Sequence, residues 1–175
     1  MYSKDEILLE QAYYSIYEDN NPFQPASEDN VTDRELERER ITKLKMQRFI
    51  DGGCEGVLSI SGAPIKSLPS DITEIDGNLY ADKSHLTELP EDFKITGHLF
   101  INNTNITSLP SGLEVGGFLN ISNTNIDDFP DDIQLSGKVF YKNTPLSDNY
   151  TPEELAEKYP HIGDLFKPGL APSQA

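Results

Sequence analysis

Few residues of this chain have the type and spacing that reactive chemistry requires. The three histidines, His85, His98 and His161, stand apart from one another and from the single cysteine, Cys54. No pair has the close spacing of a zinc site. Cys54 precedes a run of alternating apolar residues and reads as a small packed thiol rather than a nucleophile. Asp127, Asp128, Asp131 and Asp132 bring four carboxylates together. They flank Phe129-Pro130 and lack the glycine-spaced order of a calcium loop, so they read as solvated charge. Phosphate-cradling glycine loops and serine-nucleophile elbows are missing from the sequence. The expectation is a chain without catalysis, metal or cofactor.

Composition bounds the partners. Thirty acids against 14 bases give a net charge of -16 over 175 residues. Direct binding to a nucleic-acid backbone or an anionic membrane needs the opposite sign. A lone cysteine excludes an internal disulfide framework. The N-terminus lacks a basic-then-apolar leader, and no apolar run reaches the roughly 20 residues of a membrane span. A cytoplasmic, reducing compartment is expected.

The elements that carry these residues repeat. Gly56, Gly77, Gly97, Gly117 and Gly137 lie 21, 20, 20 and 20 positions apart. Each opens a unit of the form G-x-L-x-I-x-x-T-x-I-x-x-L-P-x-x-L-x-V. The third position holds Leu58, Leu79, Leu99, Leu119 and Val139; the fifth holds Ile60, Ala81, Ile101, Ile121 and Tyr141. Leu68, Leu89, Leu109 and Phe129 each precede a proline. Residues 3 and 5 point to one side of a short strand, and one unit alone cannot cover them. Stacking the units buries them as a column. The predicted fold is an α+β repeat solenoid: about five 20-residue units forming a parallel β-sheet, with extended or 3₁₀-like segments on the returning side. At ~4.8 Å per strand the sheet is about 20 Å wide.

The pattern resembles the leucine-rich repeat, in its short bacterial form with a Leu-Pro step. Type III secreted effectors carry that form, and similar arrays occur in tailed-phage proteins. The resemblance spans Gly56 to about Leu146 and departs from the family at Ser84, Thr104, Thr124 and Thr144, where asparagine is usual. These hydroxyls are expected to bond backbone groups of the neighbouring turn. The resemblance implies a protein-binding array acting in a host cytoplasm on a host enzyme or defence component. The ubiquitin-ligase domain that follows some effector arrays has no counterpart in this sequence.

Solenoid ends need caps. Residues 1–53 are read as a two-helix cap, with helices at about 4–18 and 33–50. Ser3/Glu6 and Thr32/Glu35 serve as their capping boxes. Residues 54–150 form the solenoid. Residues 151–175 form a capping helix, opened by Thr151-Pro152-Glu153-Glu154, and a flexible tail. On this reading the chain is complete at both ends of the array.

Positions 2, 4 and 6 of each unit face outward. Among them Tyr80, His98, Phe100, Asn102, Phe118, Asn120, Phe140 and Lys142 are the candidate partner-binding residues. A merely solvated surface would be polar, whereas clustered surface aromatics mark interaction sites. Cover by a terminal segment, or plain β-propensity, are the competing explanations. The first functional expectation is a non-enzymatic module that binds a protein through its strand face and inhibits or sequesters it. The alternative is an acidic nucleic-acid mimic, in which Asp127, Asp128, Asp131 and Asp132 occupy the groove of a basic, nucleic-acid-binding partner. A structural component of an assembly is the third possibility.

Overall fold

The computed structural model describes residues 28–166, with side chains from Asp33 onward. The expected helix at 4–18 and the tail 167–175 lie outside the described residues. Helix α1 (Glu28–Asp51) leads into eight strands: β1 (Glu55–Ser59), β2 (Glu74–Tyr80), β3 (Lys94–Ile95), β4 (Leu99–Phe100), β5 (Glu114–Val115), β6 (Leu119–Asn120), β7 (Gln134–Leu135) and β8 (Val139–Phe140). Helices α2 (Pro145–Asn149) and α3 (Pro152–Lys158) and a 3₁₀ turn (Gly163–Leu165) follow.

The strands form a solenoid of parallel rungs. β1, β2, β4, β6 and β8 pair in sequence order, with Leu58↔Leu79, Leu79↔Leu99, Leu99↔Leu119 and Leu119↔Val139 in register. Five rungs bound four full turns. A second ladder, absent from the sequence reading, runs through the lower part of β2, then β3, β5 and β7. It pairs Ile75, Ile95, Val115 and Leu135, the residues that close each unit. Parallel pairing holds each turn at two places, leaving the rest of the returning side to turns.

The core is the predicted column. Leu79, Leu99, Leu119 and Val139, with Leu86, Ile106, Ile126 and Leu146, are wholly buried, and Ile72, Phe93 and Leu113 line the opposite wall. Each such side chain contributes roughly 1.5–3 kcal/mol when removed from water. The hydroxyls at Ser84, Thr104, Thr124 and Thr144 correct an expectation. They donate to Ala81, Ile101, Ile121 and Tyr141 carbonyls at 2.6–2.7 Å, three residues back in their own unit rather than across to the next. The turn that follows each strand brings these hydroxyls back over the carbonyl three residues earlier, whereas Thr87, placed elsewhere in its unit, does reach the Lys66 carbonyl of the preceding turn at 3.2 Å.

Both ends are covered. Helix α1 starts at Glu28, so the expected start at Thr32 is corrected to four residues earlier. Met46 is buried against the first unit with Phe49 and Ile50 beside it. Arg38 donates to the Gly62 carbonyl at 2.7 Å, and Lys45 to that of Ser59 at 3.1 Å. At the far end the fifth unit, without its Leu-Pro step, turns into α2, capped by Thr144 with Pro145 in the first turn. Helix α3 carries the expected reciprocal box: Glu154 N–H donates to Thr151 Oγ1 at 3.2 Å, and Thr151 N–H to Glu154 Oε2 at 2.7 Å. Phe166 bridges Val139 and sits among the rings of Phe129, Tyr141 and Tyr159.

Candidate functional site

In-register parallel pairing stacks equivalent positions of successive units above one another. The outward face is therefore a set of columns. Position 2 supplies Asn78, His98, Phe118 and Lys138; position 4 supplies Tyr80, Phe100, Asn120 and Phe140. Tyr80 stacks on Phe100 with centroids 5.0 Å apart and planes 5° from parallel. His98 stacks on Phe118 at 4.7 Å and 12°. Edge contacts join the columns, His98 to Phe100 at 6.2 Å and Phe118 to Phe140 at 6.0 Å. The rings sequence analysis singled out thus form one connected cluster.

The strip is less open than expected. Phe100 (6 %), Asn120 (5 %) and Phe140 (9 %) are buried. Tyr80, His98, Asn102 and Phe118 are half-buried, and Lys142 is exposed. The accessible part of the cluster is the flank made by Tyr80, His98 and Phe118, with buried rings behind it. Adjacent to it, Asp82 is buried and accepts from Ser61 Oγ at 2.6 Å, while the Asn102 Oδ1 is buried with no partner among the described residues.

A seam of side chain to backbone bonds underlies the position 2 column. The Gly97 N–H donates to the Gly77 carbonyl and the Gly117 N–H to that of Gly97, each at 2.8 Å. The next N–H in each unit has no carbonyl left to reach. In the third unit Asn78 Oδ1 accepts the His98 N–H at 2.8 Å; in the fourth, His98 Nδ1 accepts the Phe118 N–H at 2.8 Å. The glycines permit this approach. A Cβ on Gly97 would land on Asn78 Oδ1, and one on Gly117 on His98 Nδ1. Asn78 was not singled out from the sequence. The signal was present in the repeat register, which places an amide one unit before His98 and a histidine one unit before Phe118.

The four aspartates separate into different roles. Asp127 and Asp131 are exposed. Asp128 Oδ1 accepts from the Tyr159 hydroxyl, from the Phe129 N–H at 3.0 Å and from Lys158 Nζ at 3.1 Å. Those bonds, the Tyr159 one foremost, hold its carboxyl below the ordinary value. Asp132 Oδ2 accepts from Ser111 Oγ at 2.6 Å and the Gly112 N–H at 3.0 Å, which lowers it likewise. Two of the four are thus engaged by the protein itself.

Other candidate chemistry is sparse. Burial pushes the half-buried Cys54 thiol up, away from the reactive thiolate. His85 and His161 are exposed. Among the described residues no group of three or more His, Cys, Asp or Glu side chains could hold a metal ion, and no helix is long and apolar enough to cross a membrane. An open groove of about 540 Å³ runs between α1 and the first returning segment, lined by Met46, Ile65 and Leu68 among others. No protein-family model and no curated protein matches the chain.

Proposed function

We propose that this chain is a non-enzymatic protein-binding module of the leucine-rich-repeat kind, which engages a protein partner through the outward strand face and blocks or sequesters it. The observation carrying this reading is the connected aromatic cluster, Tyr80 to Phe100 and His98 to Phe118 to Phe140, on strand positions that a purely solvated wall would fill with polar side chains. Half-buried rings backed by buried ones offer a rigid apolar surface that loses little side-chain entropy on binding. Lys138 and Lys142 at its far end add positive charge to a chain otherwise strongly acidic, favouring a partner with acids at that end of its contact.

The acidic-mimic reading places binding on carboxylates, and of the four aspartates only Asp127 and Asp131 remain uncommitted. One set of variants separates the two. Tyr80→Ser with Phe118→Ser alters the accessible rings and spares buried Phe100 and Phe140. Asp127→Asn with Asp131→Asn removes the free acids. A protein retained from a cell extract by the wild type and the acid variant, at low and at high salt, but lost by the ring variant is the expected outcome. Retention by the ring variant together with loss at high salt would replace this reading with the mimic.

A further inference from the structure

We propose that His98 makes the outward face sensitive to pH, through the bond its ring takes from the Phe118 backbone. The Phe118 N–H points at His98 Nδ1 at 2.8 Å. An N–H can be accepted only by a nitrogen that carries a lone pair, so Nδ1 is unprotonated and the imidazole neutral. Adding a proton places an N–H against an N–H. The Phe118 amide then loses its acceptor, His98 Nδ1, while the Gly97 carbonyl of the preceding unit is engaged by the Gly117 N–H at 2.8 Å. The same ring is stacked on Phe118 at 4.7 Å and touches Phe100 edge-on at 6.2 Å. His98 cannot turn away without dismantling the half-open flank of the cluster. One proton thus couples a backbone bond between turns to the shape of the aromatic surface.

The neighbouring unit supplies a non-titrating version of the device. Asn78, one turn earlier at the same position, accepts the His98 N–H through Oδ1 at 2.8 Å. An amide oxygen therefore fills the same role with no proton to gain. The side chains against the His98 ring are Phe100 from β4 and Phe118 beside β6, while Asn78 from β2 holds its backbone N–H. The other titratable side chains on the outward positions of these and the flanking rungs are Tyr80, Asp82, Lys138 and Lys142. None of them forms an ion pair with His98 among the described residues. Asp82 is committed to Ser61.

The consequence for partner binding rests on the reading of this face as a protein site; the switch itself does not, and it is tested on the free chain. Amide hydrogen exchange of Phe118, expressed as a protection factor to remove the intrinsic pH dependence, is measured at about pH 7.5 and about pH 4.5, the lower value allowing for a bond that favours the neutral ring. The Gly117 amide, bonded to a carbonyl, is the internal reference. Wild-type Phe118 protection is expected to fall about tenfold relative to Gly117 at the lower pH, the effect of orphaning one donor. In His98→Asn it stays constant. A wild-type Phe118 amide equally protected at both values, or an equal fall in His98→Asn, overturns the proposal. Failure of the partner-capture experiment would leave this result standing, and the reverse also holds.

Discussion

Ile121→Ala tests the stacked core most directly. Ile121 is wholly buried at the fifth position of its unit, with Ile101 (0 % exposed) on the turn before and Tyr141 (6 %) on the turn after. The substitution removes three carbons, about 2.4 kcal/mol of transfer free energy at ~0.8 kcal/mol per methylene. The hole cannot close easily, because both neighbouring turns are fixed by ladder bonds: Ile121 N–H to the Phe140 carbonyl at 2.8 Å and Ile101 N–H to that of Asn120 at 3.0 Å. A cavity term therefore adds to the transfer term, for a total of about 3.5 kcal/mol. A domain of this size is stable by roughly 7–15 kcal/mol, so the variant still folds. The assay is urea denaturation at neutral pH followed by peptide circular dichroism and by tyrosine fluorescence, the chain having 8 tyrosines and no tryptophan. With a slope of about 2 kcal/mol per molar, the midpoint falls by about 1.7 M. Both probes shift together, since each turn leans on the next. A loss under about 1 kcal/mol, no larger than that of an exposed control such as His85→Ala, would refute a close-packed column.

Two further outcomes follow from the hydrogen-bond seams. Tyr159→Phe deletes the hydroxyl that donates to Asp128, and costs about 1 kcal/mol after discounting for an acceptor side chain that is 63 % exposed. Because Asp128 is held below its ordinary value, that stabilisation is full above about pH 4 and is lost as pH falls through the lowered folded value. Thermal melts of wild type and Tyr159→Phe should accordingly differ near neutral pH and converge in acid. Gly117→Ala places a methyl on His98 Nδ1 and on the Gly97 backbone. It should cost about 1–3 kcal/mol by denaturant titration, with Phe118 amide protection lost at every pH.

The apolar column was legible because the sequence repeats it. Positions 3, 5, 10, 13 and 17 recur with the same residue types, and the structure buries all of them. Helix α3 was equally readable, since Thr151, Pro152 and Glu154 lie next to one another in sequence. What escaped were contacts whose partners are set by distance between turns. The second ladder at Ile75, Ile95, Val115 and Leu135 needs the height of each turn to be known. The turn after each strand, and not the length of the side chain, decides that Thr104 and Thr124 bond within their own unit. The alternation of strand residues gave the direction of Phe100 and Phe140 correctly but could not give their 6 % and 9 % exposure, which depends on what packs around each ring. Among the aspartates, Asp128 finds its hydroxyl partner 31 residues away, a pairing no local pattern announces.

The two lids differ from the middle and from each other, one a 24-residue helix and the other a short helix with a bridging phenylalanine. Between them, the stretch from Gly97 to Gly116 meets a near-copy of itself on either side and touches neither lid through its ladder pairs. Such a cassette can be duplicated or deleted whole without disturbing the closures. The outward wall would lengthen or shorten in steps of about 4.8 Å, one column entry at a time. Gene-level slippage by whole modules thus gives this architecture a way to change its length while its folding rules stay intact.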